Sequence, residues 1–350
     1  MGIEATTEEA TYQEMLAKLE GVVPDIELRY KAHLAYQINQ LKKQHNAIIL
    51  GHNYMEAALF ASVPDYTGDS LELCRRAAET DADIIVFCGV EFMAESAKIL
   101  NPDKTVLIPS QKAGCSLAES IDAEDIRKLK EKFPGVPVVT YINSYAATKA
   151  ETDVCCTSGN AANVVRSLQT DTVIFLPDEY LAKNVARDLG MKVVYADEVD
   201  GDALRSGELK NTMIAWRGRC EVHEMFTTED ITNVRKQFPN VLVLAHPECS
   251  PEVVDEADFA GSTTALIKQV QDSNAEQYLL LTECSMGDNI IAQNPDKDLL
   301  RLCSVRCPHM NQITLEDTLE ALQKNQYEID VPKEIRDRAR TSLDRMVAIR

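Results

Sequence analysis

Short apolar runs, mostly β-branched, recur along the chain, and the stretches between them carry apolar residues at helical spacing. The runs are "AIIL" at 47–50, "DIIVFCGV" at 83–90, "TVLIP" at 105–109, "VPVVTYI" at 136–142 and "TVIFLP" at 172–177. "KVVYA" at 192–196, "MIAW" at 213–216, "VLVLA" at 241–245 and "YLLLT" at 278–282 continue the series. Runs this short, with little polar alternation, predict strands buried on both faces, as in parallel sheets. Between them "SLELCRRAAET", "AEDIRKLKEKF", "NAANVVRSLQ" and "STTALIKQVQ" predict amphipathic helices. A leading helix is expected over roughly 25–45, and a closing one in "VPKEIRDRARTSLDRMVAIR". The alternation predicts an α/β fold.

Polar clusters follow several strands directly: "GHNY" after "AIIL", "INS" after "VVTY", "HPE" after "VLVLA" and "ECS" after "YLLLT". Ligands of open parallel sheets bind beyond the carboxyl ends of the strands, so several such clusters together point to a site. Three segments superpose. His52 and Tyr54 precede "GDSLELCRR" and Cys115; Tyr141 and Asn143 precede "CTSGNAANVV" and Cys220; His246 and Glu248 precede "GSTTALIKQ" and Cys307. Ser70, Ser158 and Thr263 lie 18, 17 and 17 residues beyond the strand-end motifs, and the cysteines 63, 79 and 61 residues beyond them. The chain therefore reads as three copies of one α/β unit.

If the copies close around a pseudo-threefold axis, Cys115, Cys220 and Cys307 converge. "RLCSVRCPHM" at 301–310 has no second local cysteine pair upstream, and closed zinc sites want four ligands, commonly paired. Three cysteines on one centre favour an iron–sulfur cluster. With three protein ligands to a [4Fe–4S] cluster, one iron keeps an open position and can polarise a substrate oxygen. The competing reading is that these are ordinary buried small residues. Ser70, Ser158 and Thr263 fall where helices begin. They are expected as N-caps, as binders of anionic oxygens, or as both. His246 and Glu248, two apart on an extended strand end, face the same way and suit acid–base work.

Composition narrows the partners. With 36 basic and 56 acidic residues the net charge is −20, which disfavours nucleic acid and anionic membrane surfaces. Anionic substrates would need helix N-termini or a metal. The length of 350 residues suggests two or three domains. No apolar run approaches a membrane span and "MGIEATTEEATYQEMLAKLE" lacks a targeting pattern, so a cytoplasmic protein is expected. Its ten cysteines are then expected as thiols or metal ligands.

With these residues assembled, the sequence resembles quinolinate synthase, the NadA family, over about residues 30–345. The motifs are "GHNY", "GDSLEL", "FMAESAKIL", "KAGCSLA", "YINS", "CCTSGNA", "RGRCEVHE", "AHPEC", "GSTTALI", "TECSMGDN" and "CPHMNQITLEDTL". The resemblance implies three αβα sandwich domains with short parallel sheets around a pseudo-threefold axis. It implies a [4Fe–4S] cluster at their junction on Cys115, Cys220 and Cys307. The expected organisation is an extension (1–29), three repeats (30–118, 119–222, 223–332) and a C-terminal helix (333–350) packing back on the core. The implied reaction condenses iminoaspartate with dihydroxyacetone phosphate to quinolinate, phosphate and two waters, in de novo NAD biosynthesis. Functional coupling to an aspartate-oxidising enzyme is implied with it. The family's substrate positions fall on His52, Ser70, Tyr141, Ile142, Asn143, Ser158, His246, Pro247, Glu248, Ser262 and Thr263. Glu248 is the candidate base, with Tyr54 a proton donor and His246 beside them; Cys303 is not among the implied ligands. The alternatives are a non-catalytic iron–sulfur redox sensor and a zinc-dependent aldolase or hydrolase.

Overall fold

A computed structural model describes residues 2–302 and 305–349. Its strands form three separate sheets, and every pairing within them is parallel. The first holds β1 (Ala47–His52), β2 (Tyr66–Gly68), β3 (Ile84–Cys88) and β4 (Thr105–Leu107), in the order β2-β1-β3-β4. The second holds β5 (Val138–Tyr141), β6 (Val154–Cys156), β7 (Thr172–Leu176), β8 (Lys192–Tyr195) and β9 (Thr212–Ala215), in the order β6-β5-β7-β9-β8. The third holds β10 (Leu242–Ala245), β11 (Phe259–Ala260), β12 (Gln277–Leu281) and β13 (Asp298–Arg301), in the order β11-β10-β12-β13. The central strands are buried almost throughout, as their unbroken apolar runs require.

The three sheets share one topology, and the second adds a unit to it. Strand β8 and the helix Gly201–Ser206 are inserted between β7 and β9. That insertion accounts for the longer interval from motif to cysteine in the second copy.

A further repeat ties the sheets together. Asp65, Asp153 and Asp258 precede the second strand of each sheet. Each accepts a hydrogen bond at 2.8 Å from a backbone N–H of the first strand: Ile49, Val138 and Val243 respectively. Each also meets a cation from the helix before that strand: Lys42 at 2.8 Å, Lys130 at 3.3 Å and Arg235 at 3.0 Å. The cation precedes its aspartate by 23 residues in all three copies. The carboxylate satisfies a strand donor that would otherwise be buried without a partner.

The helix Lys333–Ala348 closes the molecule from outside the sheets. Its Ser342 hydroxyl donates to the Lys149 carbonyl at 3.0 Å and accepts from the Cys155 thiol at 3.4 Å. The helix Glu8–Leu19, beyond the elements expected from sequence, packs on Asp25–Gln44 through Tyr12, Met15 and Leu19 and is capped by Thr7. Among the described residues, no helix is long and apolar enough to cross a membrane.

The repeated aspartate predicts an ordering of stability effects. Asp258→Ala leaves the Val243 donor unpaired and should lower stability by about 1–3 kcal/mol. Asp258→Asn keeps an acceptor oxygen and should lose less. Arg235→Ala removes only a partly exposed ion pair and should change stability by less than about 1 kcal/mol. Urea unfolding of the three variants checks this; a larger loss for Arg235→Ala than for Asp258→Ala would contradict it.

Candidate active site

The turns after β1, β5 and β10 open into one cavity. His52, Tyr54, Ser70, Tyr141, Asn143, Ser158, His246, Glu248, Thr263 and the three repeat cysteines all line it. Three candidate residues do not. Ile142 is fully buried, with its N–H on the Cys156 carbonyl at 2.8 Å. Pro247 offers its carbonyl to Asn184 at 2.8 Å. Ser262 caps the helix Thr263–Asp272, accepting from the Ala265 N–H at 3.4 Å.

The cysteines are presented by three equivalent loops. The residue two before each cysteine gives its carbonyl to the backbone N–H that begins the helix after the sheet's third strand in sequence. The pairs are Glu91 to Ala113 at 2.7 Å, Glu179 to Gly218 at 2.7 Å and Cys284 to Val305 at 3.4 Å. Gly218 is held so closely that a Cβ there would meet the Pro177 carbonyl oxygen at 2.6 Å. A single helical turn follows each cysteine: Ser116–Glu119, His223–Met225 and Met310–Gln312. The N–H groups two and three residues on point back at the sulfur in each case.

Burial pushes the thiol of Cys115 up to about 12, that of Cys307 up to about 11 and that of Cys220 well above its usual value. Neutral thiols make little use of paired N–H donors, whereas metal-bound thiolates do. The donor set therefore fits a thiolate-ligated centre. Cys115, Cys220 and Cys307 are partly exposed, whereas Cys74, Cys88, Cys155, Cys156 and Cys249 are buried. Cys284 departs from the expectation of free thiols, being disulfide-bonded. Cys303 lies outside the described residues.

A hydrogen-bonded chain runs beside Cys220. His223 Nδ1 lies 2.6 Å from Glu248 Oε2 and 3.2 Å from Cys220 Sγ. Its Nε2 lies 2.9 Å from Thr282 Oγ1, which is 2.5 Å from the Tyr54 hydroxyl. Asn143 Nδ2 reaches Glu248 Oε1 at 3.4 Å, and the Tyr141 hydroxyl bonds the same carboxylate. Burial alone would raise the Glu248 carboxyl; the His223 ring, with the Tyr141 hydroxyl, outweighs it and holds its pKa down to about 2. Burial and the nearby Glu248 charge push the Tyr54 and Tyr141 hydroxyls well above their usual range. Cys220, His223 and Glu248 also have the spacing of a mononuclear metal site, all within 4.8 Å of one another. Their mutual hydrogen bonds account for that closeness.

His223 and Thr282 were not singled out from the sequence. "RGRCEVHE" held the signal, a histidine three residues past a cysteine, but its use depends on Glu248 and Thr282, which are distant in sequence. Glu283, also in the cavity wall, caps the next helix through the Ser285 N–H at 2.7 Å.

The strand-end histidines share one arrangement. His52 Nδ1 accepts the Tyr54 N–H at 3.2 Å, and His246 Nδ1 the Glu248 N–H at 3.4 Å. The pattern assigns the proton to Nε2 of both rings. Burial lowers their pKa values to about 4 and about 3, so both are neutral N–H donors at physiological pH. The hydroxyl residues differ from their expected capping role. Asp69, not Ser70, caps the helix Ser70–Glu79, accepting from the Glu72 N–H at 3.0 Å. Ser262, not Thr263, caps Thr263–Asp272, and Asn160 occupies the N-cap position after Ser158. Capping by Asp69 and Ser262 releases Ser70 and Thr263 from that task; the Thr263 hydroxyl accepts from Asn53 Nδ2 at 2.9 Å and keeps its own proton to donate. Among the described residues lining it there is no lysine or arginine. Anionic oxygens would be met by neutral donors and by the N–H groups that open two ten-residue helices.

Residues 36–348 match the family described as "Quinolinate synthetase A protein" (NadA). The chain is 49% identical over 332 residues to "Quinolinate synthase 1" of Mesorhizobium japonicum, covering 95% of this chain and 96% of that protein. It is 51% identical over 312 residues to "Quinolinate synthase" of Agrobacterium fabrum, covering 89% and 84%. The like-named protein of Xylella fastidiosa (strain Temecula1) is 49% identical over 312 residues, covering 89% and 86%.

The neutral state of the two strand-end histidines is testable in metal-free protein. Protonation, which would occur below pH 4 or so, should leave the His52 and His246 ring resonances unmoved between pH 8 and pH 5. Histidine-labelled NMR, assigned through His52→Gln and His246→Gln, makes the measurement. A midpoint near 6.5 for either ring would show an imidazolium instead.

Proposed function

This chain belongs to the NadA family of quinolinate synthases, and we infer that its central cavity condenses iminoaspartate with dihydroxyacetone phosphate. The products are quinolinate, one phosphate and two waters, and the reaction serves NAD biosynthesis. We infer further that Cys115, Cys220 and Cys307 hold a [4Fe–4S] cluster. The observation that carries the reading is the set of three equivalent cysteine loops opening onto one cavity with an acid–base chain beside them. When bound, a cluster with three protein ligands supplies a Lewis-acidic iron for substrate oxygen.

The protein's own groups divide the remaining work. Ser70, Ser158 and Thr263 offer hydroxyls, and His52 and His246 offer Nε2–H, to phosphate and carboxylate oxygens. Tyr141 and Asn143 hold the Glu248 carboxylate from one side and His223 from the other. Glu248, ionised at neutral pH, is an acceptor and takes a carbon-bound proton during tautomerisation. Tyr54, kept protonated, is a donor and gives its phenolic proton to a departing oxygen. Thr282 and His223 connect the two: His223 Nδ1–H holds the Glu248 carboxylate, and the Thr282 hydroxyl lies between His223 Nε2 and the Tyr54 hydroxyl. Environments that push two groups apart in this way define acid and base roles.

A redox sensor would need the cysteines but not this chain of proton carriers. A zinc aldolase would need a metal on Cys220, His223 and Glu248 in place of their hydrogen bonds. On this reading the enzyme is cytoplasmic. Its imine substrate comes from an aspartate-oxidising enzyme.

Two experiments test the reading. Replacing any one of Cys115, Cys220 or Cys307 by Ala should abolish bound iron and sulfide in anaerobic protein, whereas Cys74→Ala and Cys88→Ala should retain both. An intact chromophore in Cys220→Ala would overturn the ligand assignment. Glu248→Gln keeps the shape and removes the acceptor, so quinolinate formation should fall by about 10²–10⁴ with the visible spectrum unchanged. Near-normal turnover would place the base elsewhere, and loss of the spectrum would make Glu248 structural.

A further inference from the structure

Two buried asparagines occupy equivalent places in the second and third repeats. Asn184 is the sixth residue after the N-cap Asp178 of the helix Glu179–Leu189, and Asn289 the sixth after the N-cap Glu283 of Cys284–Gln293. Each is buried and reaches out of its own repeat into the next. Asn184 Nδ2 donates to the carbonyls of Pro247 and Cys249, at 2.8 and 3.0 Å. Asn289 Nδ2 donates to the carbonyls of Asn53 and Met55, at 3.0 and 2.8 Å. Those carbonyls bracket Glu248 in one case and Tyr54 in the other. One amide group thus fixes the peptide units on both sides of the residue that faces the cavity.

The donors alone are used. Both side-chain oxygens, Asn184 Oδ1 and Asn289 Oδ1, are buried with no hydrogen-bond partner. Turning either amide over would set an oxygen against two carbonyls, so the hydrogen-bond pattern fixes its orientation. A buried acceptor left unpaired is unfavourable, and the chain carries it twice at equivalent positions. The first repeat breaks the pattern. Its equivalent residue, Ser96, bonds back to its own helix at the Phe92 carbonyl, 2.7 Å away. The turn it would hold, 141–144, is gripped from within its own repeat, by the Lys149 ammonium on the Ser144 carbonyl. The clasp is therefore present at the turns that carry Glu248 and Tyr54, and absent from the turn that carries neither.

We propose that Asn184 and Asn289 are positioning residues for the reaction: Asn184 aims Glu248, and Asn289 aims Tyr54, each from the preceding repeat. The inference rests on the reading of Glu248 and Tyr54 as acceptor and donor. A displacement of about 1 Å at such a group lowers turnover by about 10².

The test uses Asn184→Leu and Asn289→Leu, which keep the volume and remove the donors. Each anaerobic, cluster-bearing variant should lose about 10–100-fold in kcat with iron and sulfide content and KM unchanged. The double variants separate positioning from general weakening. On a Glu248→Gln background, Asn184→Leu should lose less than about 2-fold more, while Asn289→Leu should multiply in full. On a Tyr54→Phe background the two should exchange behaviour. Should Asn184→Leu not accumulate folded, Asn184→Ser, which keeps one hydroxyl donor, is read in the same way with a smaller loss. Wild-type protein that fails to make quinolinate would sink the functional reading itself. Wild-type activity in Asn184→Leu, or a full multiplicative loss in every background, would overturn the positioning role alone.

Discussion

Three backbone hydrogen bonds set the geometry on which the site depends: Glu91 to Ala113, Glu179 to Gly218 and Cys284 to Val305. Each ties the start of a helix to the loop that ends in a cysteine. A parallel sheet turns its carboxyl ends to one side, and a loop pinned there has one direction in which to present its next side chain. Three repeats of that constraint bring three sulfurs to one cavity, although the cysteines lie about a hundred residues apart in sequence. The N–H groups aimed at each sulfur are part of the same turn. The loops thus present a sulfur together with the dipoles that would stabilise its thiolate form, as the proposed cluster requires.

Among the described residues that line the cavity there is no lysine or arginine, so an anion there would be met by neutral donors. Burial keeps His52 and His246 uncharged, and the backbone N–H two residues on selects which ring nitrogen carries the proton. Asp69 and Ser262 take over capping, so Ser70 and Thr263 can turn to the cavity. Burial, the usual enemy of charge, leaves Glu248 ionised because His223 and Tyr141 hold its carboxylate. The proposed acceptor and donor are thus set apart by environment, with Thr282 and His223 between them.

Much of this was legible in the sequence, for reasons that differ by element. The central strands announced themselves because they are buried on both faces, and β1, β5, β7 and β10 fall within or beside their apolar runs. The edge strands divide: β4 and β8 fall in apolar runs, whereas β2, β6, β11 and β13 lie outside them, since a strand of two to four residues paired on one side can form without such a run. The repeat spacing exposed the three cysteines. It also showed a longer second copy, whose cause, β8 and its helix, needed the sheet order. Asp65, Asp153 and Asp258 carry no local signal, because the strand N–H each satisfies lies 15 or 16 residues back in sequence. His223, Thr282, Asn184 and Asn289 stayed hidden because each acts on residues distant in sequence, and no local pattern records such a contact. The helix Glu8–Leu19 was available in the spacing of Tyr12, Met15 and Leu19, but its acidic first turn drew attention to charge.

The central claim is that the three pinned loops share one iron-containing centre. Anomalous diffraction at the iron edge, from crystals of anaerobically purified protein, tests it most directly. The account predicts a single iron peak in contact with the sulfurs of Cys115, Cys220 and Cys307, with one face turned to the cavity and to Tyr54 and Glu248. A peak seated on Cys220, His223 and Glu248 alone, or a zinc signal with no iron, would contradict it.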